Sequence, residues 1–124
     1  MTDSLEQMVA RWKQVAQHAA TYDLTLDDWL NDLDLRDLID RNMSNQVGPV
    51  ARVMVDLDSA DRAFRESTAE LRDSLWGTSA GAKHDHERQW WYFRYPKFPR
   101  GTMRSDLEHA GIIARDRTSP PGKR

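Results

Sequence analysis

The chain has no cysteine among its 124 residues, which excludes a disulfide framework, a thiolate metal site and a cysteine nucleophile. It holds no apolar run near the roughly 20 residues needed to span a bilayer. Its first residues, MTDSLEQ, lack the basic and apolar regions of a secretory signal. A cytoplasmic location is therefore expected. Also missing are a nucleophile elbow, a phosphate-binding glycine loop and a dinucleotide fingerprint. With no cofactor motif, no cofactor is expected. Acidic residues are plentiful, but acid–base chemistry needs geometry and shifted pKa values rather than numbers of carboxylates. The expectation is that the protein is not an enzyme.

Net charge is also small, at −2, so the chain as a whole is no polyanion binder. The balance conceals an asymmetry. Residues 1–87 carry 9 Lys+Arg against 17 Asp+Glu, a net −8, and residues 88–124 carry 9 against 3, a net +6. An acidic body with a basic end points to interaction.

What is present is mostly helical periodicity. Leu5, Met8, Val9, Trp12, Val15, Ala16 and Ala19 fall at helical spacing over about residues 4–21, with Ser4 and Gln7 placed as a capping box. Thr25 and Asp28 repeat that spacing. Beyond them the stripe Leu26, Trp29, Leu30, Leu33 runs out of phase with Leu35, Leu38, Ile39. Asp34 is placed to cap a new helix, so two short helices meeting at a bend are expected. Seven aspartates crowd residues 23–40. They read as caps and a solvated face, because hard-cation loops carry a turn glycine that is absent here.

After the loop SNQVGPV, a long helix is expected over about 49–76, with Val50, Leu57, Phe64 and Leu71 seven apart and Gly77 as its stop. At 1.5 Å per residue it spans about 42 Å against about 27 Å for the first helix. An overhang of that size leaves apolar surface for the chain's own C-terminal part or for another chain, so a homodimer through this helix is a further expectation. Residues 77–89 read as a loop. Within it, His84-Asp85-His86-Glu87 is the one stretch with metal-ligand chemistry. Four ligand-type residues in a row, with only His18 and His109 elsewhere, lack the spacing of a metal site.

The sequence QWWYFRYPKFPRG, residues 89–101, holds six aromatics, four of them consecutive. Pro96 and Pro99 predict an extended segment over 90–100, with Trp91, Phe93 and Tyr95 on one face and Trp90, Tyr92 and Arg94 on the other. No strong partner strand exists; GIIARD (111–116) is the weak candidate. The segment then reads as a lid over the chain's own helices, as a protein interface rich in hot-spot residue types, or as a single-strand nucleic-acid platform. A short helix follows, begun at Thr102 or Ser105 and stopped by Gly111.

Together these readings predict a mainly α single domain over 1–111. It is a small bundle of three to four helices with one long helix, an aromatic arm at 88–100 and a short C-terminal helix, followed by a flexible basic tail over 112–124. The expected function is that of a non-catalytic accessory or regulatory subunit. It would bind a protein partner through Trp90, Trp91, Tyr92, Arg94, Tyr95, Phe98, Arg100 and Arg104, together with the long helix. Single-stranded nucleic-acid binding through the same arm is the alternative, and metal binding at His84–Glu87 a weaker one.

Overall fold

A computed structural model describes residues 4–45, 51–75 and 84–114 of the chain. The fold is mainly helical, with a two-stranded antiparallel sheet. Helix α1 spans Leu5–His18 and runs into a 3-10 turn at Ala19–Thr21. Helix α2 spans Leu26–Ser44, helix α3 Ala51–Ser67, and strand β1 Thr68–Glu70. A second 3-10 turn, Trp90–Phe93, leads into strand β2, Arg94–Pro96, and then helix α4, Gly101–His109. No helix among the described residues is long and apolar enough to cross a membrane.

Both expected capping boxes form. Ser4 Oγ accepts from the Gln7 backbone N–H while Gln7 Oε1 accepts from Ser4 N–H, and Thr25 and Asp28 do the same at α2. Each satisfies two of the donors that a helix start leaves orphaned. Helix α4 ends at His109 with Ala110 as its cap, and Gly111 beyond it has φ +75. The N–H groups of Gly111 and Ile112 turn back to the Glu108 and Leu107 carbonyls, the pair of hydrogen bonds that a left-handed glycine permits. Ile112 and Ile113 then pack on the core, so the body extends to Ile113. Residues 115–124 of the expected tail lie outside the described residues.

Two expectations about the helices are corrected. There is one continuous α2, not two helices at a bend, because the buried stripe Trp29–Leu33–Ile39 passes through Arg36. That arginine is tolerated inside because Asp61 of α3 binds it at Nε and Nη2, 3.0 and 2.9 Å away. Asp34, read as a cap, instead accepts the Tyr92 hydroxyl at 2.7 Å. The long helix over 49–76 is also corrected: α3 stops at Ser67. Thr68 turns its hydroxyl back to the Phe64 carbonyl, and the chain becomes a strand paired with β2, in the register Thr68–Pro96, Ala69–Tyr95, Glu70–Arg94. Leu57 and Phe64 of the seven-residue stripe are core. Leu71 lies beyond the helix, where its N–H bonds to the Phe93 carbonyl, so the overhang that suggested a dimer seam does not form. Val50, Trp76 and Gly77 lie outside the described residues.

The core centres on Phe64. Trp12 and Trp29 lie 4.6 and 5.4 Å from it, ring centre to ring centre, and Tyr22 meets Trp29 edge-on at 4.8 Å. Trp12, Trp29, Phe64 and Trp91 are all fully buried, and each contributes about 2–3 kcal/mol of transfer free energy.

Candidate functional site

The aromatic segment is built into the fold along its whole length. Its Gln89 side chain donates to Asp37 at 2.9 Å, and the Trp29 indole N–H donates to the Arg94 carbonyl at 3.1 Å. The N–H groups of Leu71 and Leu75 bond to the Phe93 and Tyr92 carbonyls. Phe98, between the two prolines, donates its N–H to Ala20 O at 2.8 Å, and beyond Pro99 the Arg100 N–H donates to Tyr22 O at 3.0 Å. The expected extended conformation over 90–100 holds only from Arg94. Residues 90–93 coil into a 3-10 turn, which breaks the two-sided alternation and turns Trp91, Tyr92 and Phe93 all inward. The missing partner strand is β1, which the sequence hid inside the expected long helix.

Each candidate residue has a definite place. Trp91 and Tyr92 are buried in the chain's own core. Trp90 is half-buried, 6.0 Å from Phe64 on one side, with the Arg65 guanidinium 4.0 Å from its ring centre. Arg94 donates through Nε to Thr68 Oγ1 at 2.7 Å and through Nη2 to the carbonyls of Arg65 and Thr68, so it caps the C-terminal end of α3, where carbonyls lack helical partners and a cation is favoured. Tyr95 is half-buried against the core. Phe98 is 66% exposed, Lys97 and Arg100 are exposed, and Arg104 pairs with Glu108 of its own helix at 3.3 Å. The surface that the segment offers is thus Lys97, Phe98, Arg100 and Arg104.

The His84–Glu87 stretch disperses. The His84 ring stacks on Tyr92 at 3.8 Å with Nδ1 2.8 Å from Ser74 Oγ, and burial lowers its pKa. His86 Nε2 turns to Glu70 at 3.2 Å. Asp85 accepts the N–H groups of Glu87 and Arg88, and these bonds hold its carboxyl below the usual range. Among the described residues no group of three or more His, Asp or Glu is placed to hold a metal ion.

A feature that sequence reasoning missed lies on the other edge of α2. A cleft of about 560 Å³ opens between α1 and α2. Tyr22 donates its hydroxyl to Asp32 Oδ2 there at 2.8 Å, and burial raises the pKa of both groups. The α2 aspartates therefore serve different tasks along one helix: Asp28 closes the cap with Thr25, Asp32 lines the cleft, and Asp34 and Asp37 receive Tyr92 and Gln89. The available signal was that buried tyrosine hydroxyls need acceptors, although the sequence could not say which aspartates supplied them.

Comparison with protein-family models, with curated proteins and with solved structures gave no match.

Proposed function

We propose that the chain is a non-catalytic interaction protein whose contact surface is the segment Lys97–Arg104, and that its partner is a protein with an acidic surface around an apolar pocket. The observation that carries this reading is Phe98. It is a large aromatic left 66% exposed among Lys97, Arg100 and Arg104, on a backbone tied to Ala20 and Tyr22. Aromatic and arginine side chains dominate binding hot spots, and a backbone already ordered before contact loses little entropy on binding. The excess of base beyond residue 87 favours an acidic partner and speeds encounter. The nucleic-acid reading loses support, because base stacking over several nucleotides needs several open aromatic faces and Trp91, Tyr92 and Phe93 are buried.

A photo-crosslinking amino acid placed at position 98 of the full chain tests the proposal in its native cells. A discrete protein adduct is expected, lost when Arg100 and Arg104 are both changed to glutamate. Phe98→Ala is expected to leave folding intact, whereas Trp91→Ala, which empties a fully buried site, costs about 3–5 kcal/mol. No adduct, or one indifferent to the charge reversals, would overturn the proposal.

A further inference from the structure

We infer that the cleft between α1 and α2 binds a small organic cation, a protonated amine whose ammonium group meets the Asp32 carboxylate while its apolar part rests on Val15, Leu24 and Leu35. The volume of about 560 Å³ lies within the range of small-molecule sites. The lining joins the two chemistries that such a ligand needs. Val15 of α1, Leu24 of the loop and Leu35 of α2 supply apolar wall, and Leu24 stands 54% exposed at the lip. Asp32 is partly buried and oriented by the Tyr22 hydroxyl, which takes one acceptor position on Oδ2. A carboxylate offers about four such positions, so capacity for an ammonium donor remains.

The surrounding charge favours a cation over an anion. Asp23 shares the cleft with Asp32, and Asp28 adds its field at Tyr22. Opposed to these are Arg11 and His18 on the α1 side, and the Arg11 charge acts on Asp32 itself, so the cation must share that carboxylate with it while Asp23 and Asp28 keep the carboxylates in excess. The floor is also held in shape before a ligand arrives. The loop is tied by Arg100 N–H to Tyr22 O, and the Tyr22 ring is fixed edge-on against Trp29. The side chains of Lys97, Phe98, Arg100 and Arg104 lie outside the cleft lining.

The test is a titration of the intact, isotope-labelled protein with phenethylamine at neutral pH, followed by amide NMR shifts. Phenylacetate, of opposite charge on a similar body, and methylammonium, without the apolar body, serve as comparisons. Saturable shifts confined to the neighbourhood of Val15, Tyr22, Leu24, Asp32 and Leu35 are expected for phenethylamine, with at least tenfold weaker binding of both comparison compounds. Asp32→Asn keeps an acceptor for Tyr22 and removes the charge, and should weaken phenethylamine roughly tenfold, the scale of one charge-assisted hydrogen bond. Leu24→Ala, at an exposed site, should weaken it less while leaving the fold unchanged. No saturable shift at the cleft, phenylacetate binding as well as phenethylamine, or Asp32→Asn binding undiminished would each overturn the inference.

Discussion

Replacing Asp61 by alanine removes one small side chain and strands three N–H donors on two buried side chains at once. Its carboxylate takes Arg36 Nε and Nη2 at 3.0 and 2.9 Å and the Trp12 indole N–H at 2.9 Å. The Arg36 side chain is only 7% exposed and that of Asp61 16%. The guanidinium lies 4.4 Å over the Trp91 ring, and its Nη1 has no hydrogen-bond partner among the described residues. Without Asp61 the arginine keeps its charge in a nearly dry site, a loss of about 3–5 kcal/mol for a buried pair broken from one side. The stranded indole N–H is worth about 1–3 kcal/mol by itself, and the two losses overlap rather than add. For a domain whose whole stability is about 5–15 kcal/mol, Asp61→Ala is severe, and the thermal midpoint should fall by roughly 10 °C or more. Arg36→Met should be milder, since the remaining carboxylate is nearer to water and still accepts Trp12. Adding Asp61→Asn to Arg36→Met keeps that acceptor and removes the lone charge, so the double variant should be more stable than Asp61→Ala. Urea unfolding followed by circular dichroism and tryptophan fluorescence measures all of them. An Asp61→Ala loss below about 1 kcal/mol, or an Arg36→Met loss as large as that of Asp61→Ala, would refute the argument that the buried charge dominates.

Two further outcomes follow from local geometry. Gly101 has φ +53 and its absent Cβ would stand 3.3 Å from the Asp23 carbonyl, so Gly101→Ala should cost about 1–2 kcal/mol from the left-handed backbone, with amide shifts at Asp23 and Leu24; unchanged urea stability would contradict this. Burial lowers the His84 pKa from 6.5, with Asp37 and Asp34 opposing it, so the folded chain binds that proton less readily than the unfolded one. Its contribution to stability is therefore whole above pH 6.5 and is lost as pH falls through the lowered folded value. Between pH 7.5 and 5, wild type should lose more urea stability than His84→Gln, and parallel curves would remove the effect.

The helix starts were legible because their signals are local. Ser4 with Gln7 and Thr25 with Asp28 satisfy donors three residues away, and the stripe from Met8 to Ala16 needs only its own periodicity. Two helix boundaries were not legible, because distant partners set them. The α2 pattern reads as two out-of-phase stripes meeting near Asp34 until Arg36 is seen to join the buried face, neutralised by Asp61 25 residues on. The end of α3 reads as the middle of a seven-residue repeat until Arg94 is seen to cap the carbonyls at Arg65 and Thr68. Pro96, which has no N–H to donate, sits opposite Thr68 in the short sheet.

The aromatic segment divides in the same way. Composition alone determined that most of six aromatics within ten residues had to be covered by something, since water penalises so much apolar area. It also placed that segment in the basic end of an otherwise acidic chain. Only the tertiary structure decided what covers them: Trp91, Tyr92 and Phe93 are turned into the core, Trp90 and Tyr95 are half-covered, and Phe98 is left in solvent. The physical reason is that burial is a property of neighbours brought together by folding. The carboxylates of Asp32 and Asp34 that receive the tyrosine hydroxyls, and the strand that receives β2, are fixed by long-range packing that no local pattern encodes.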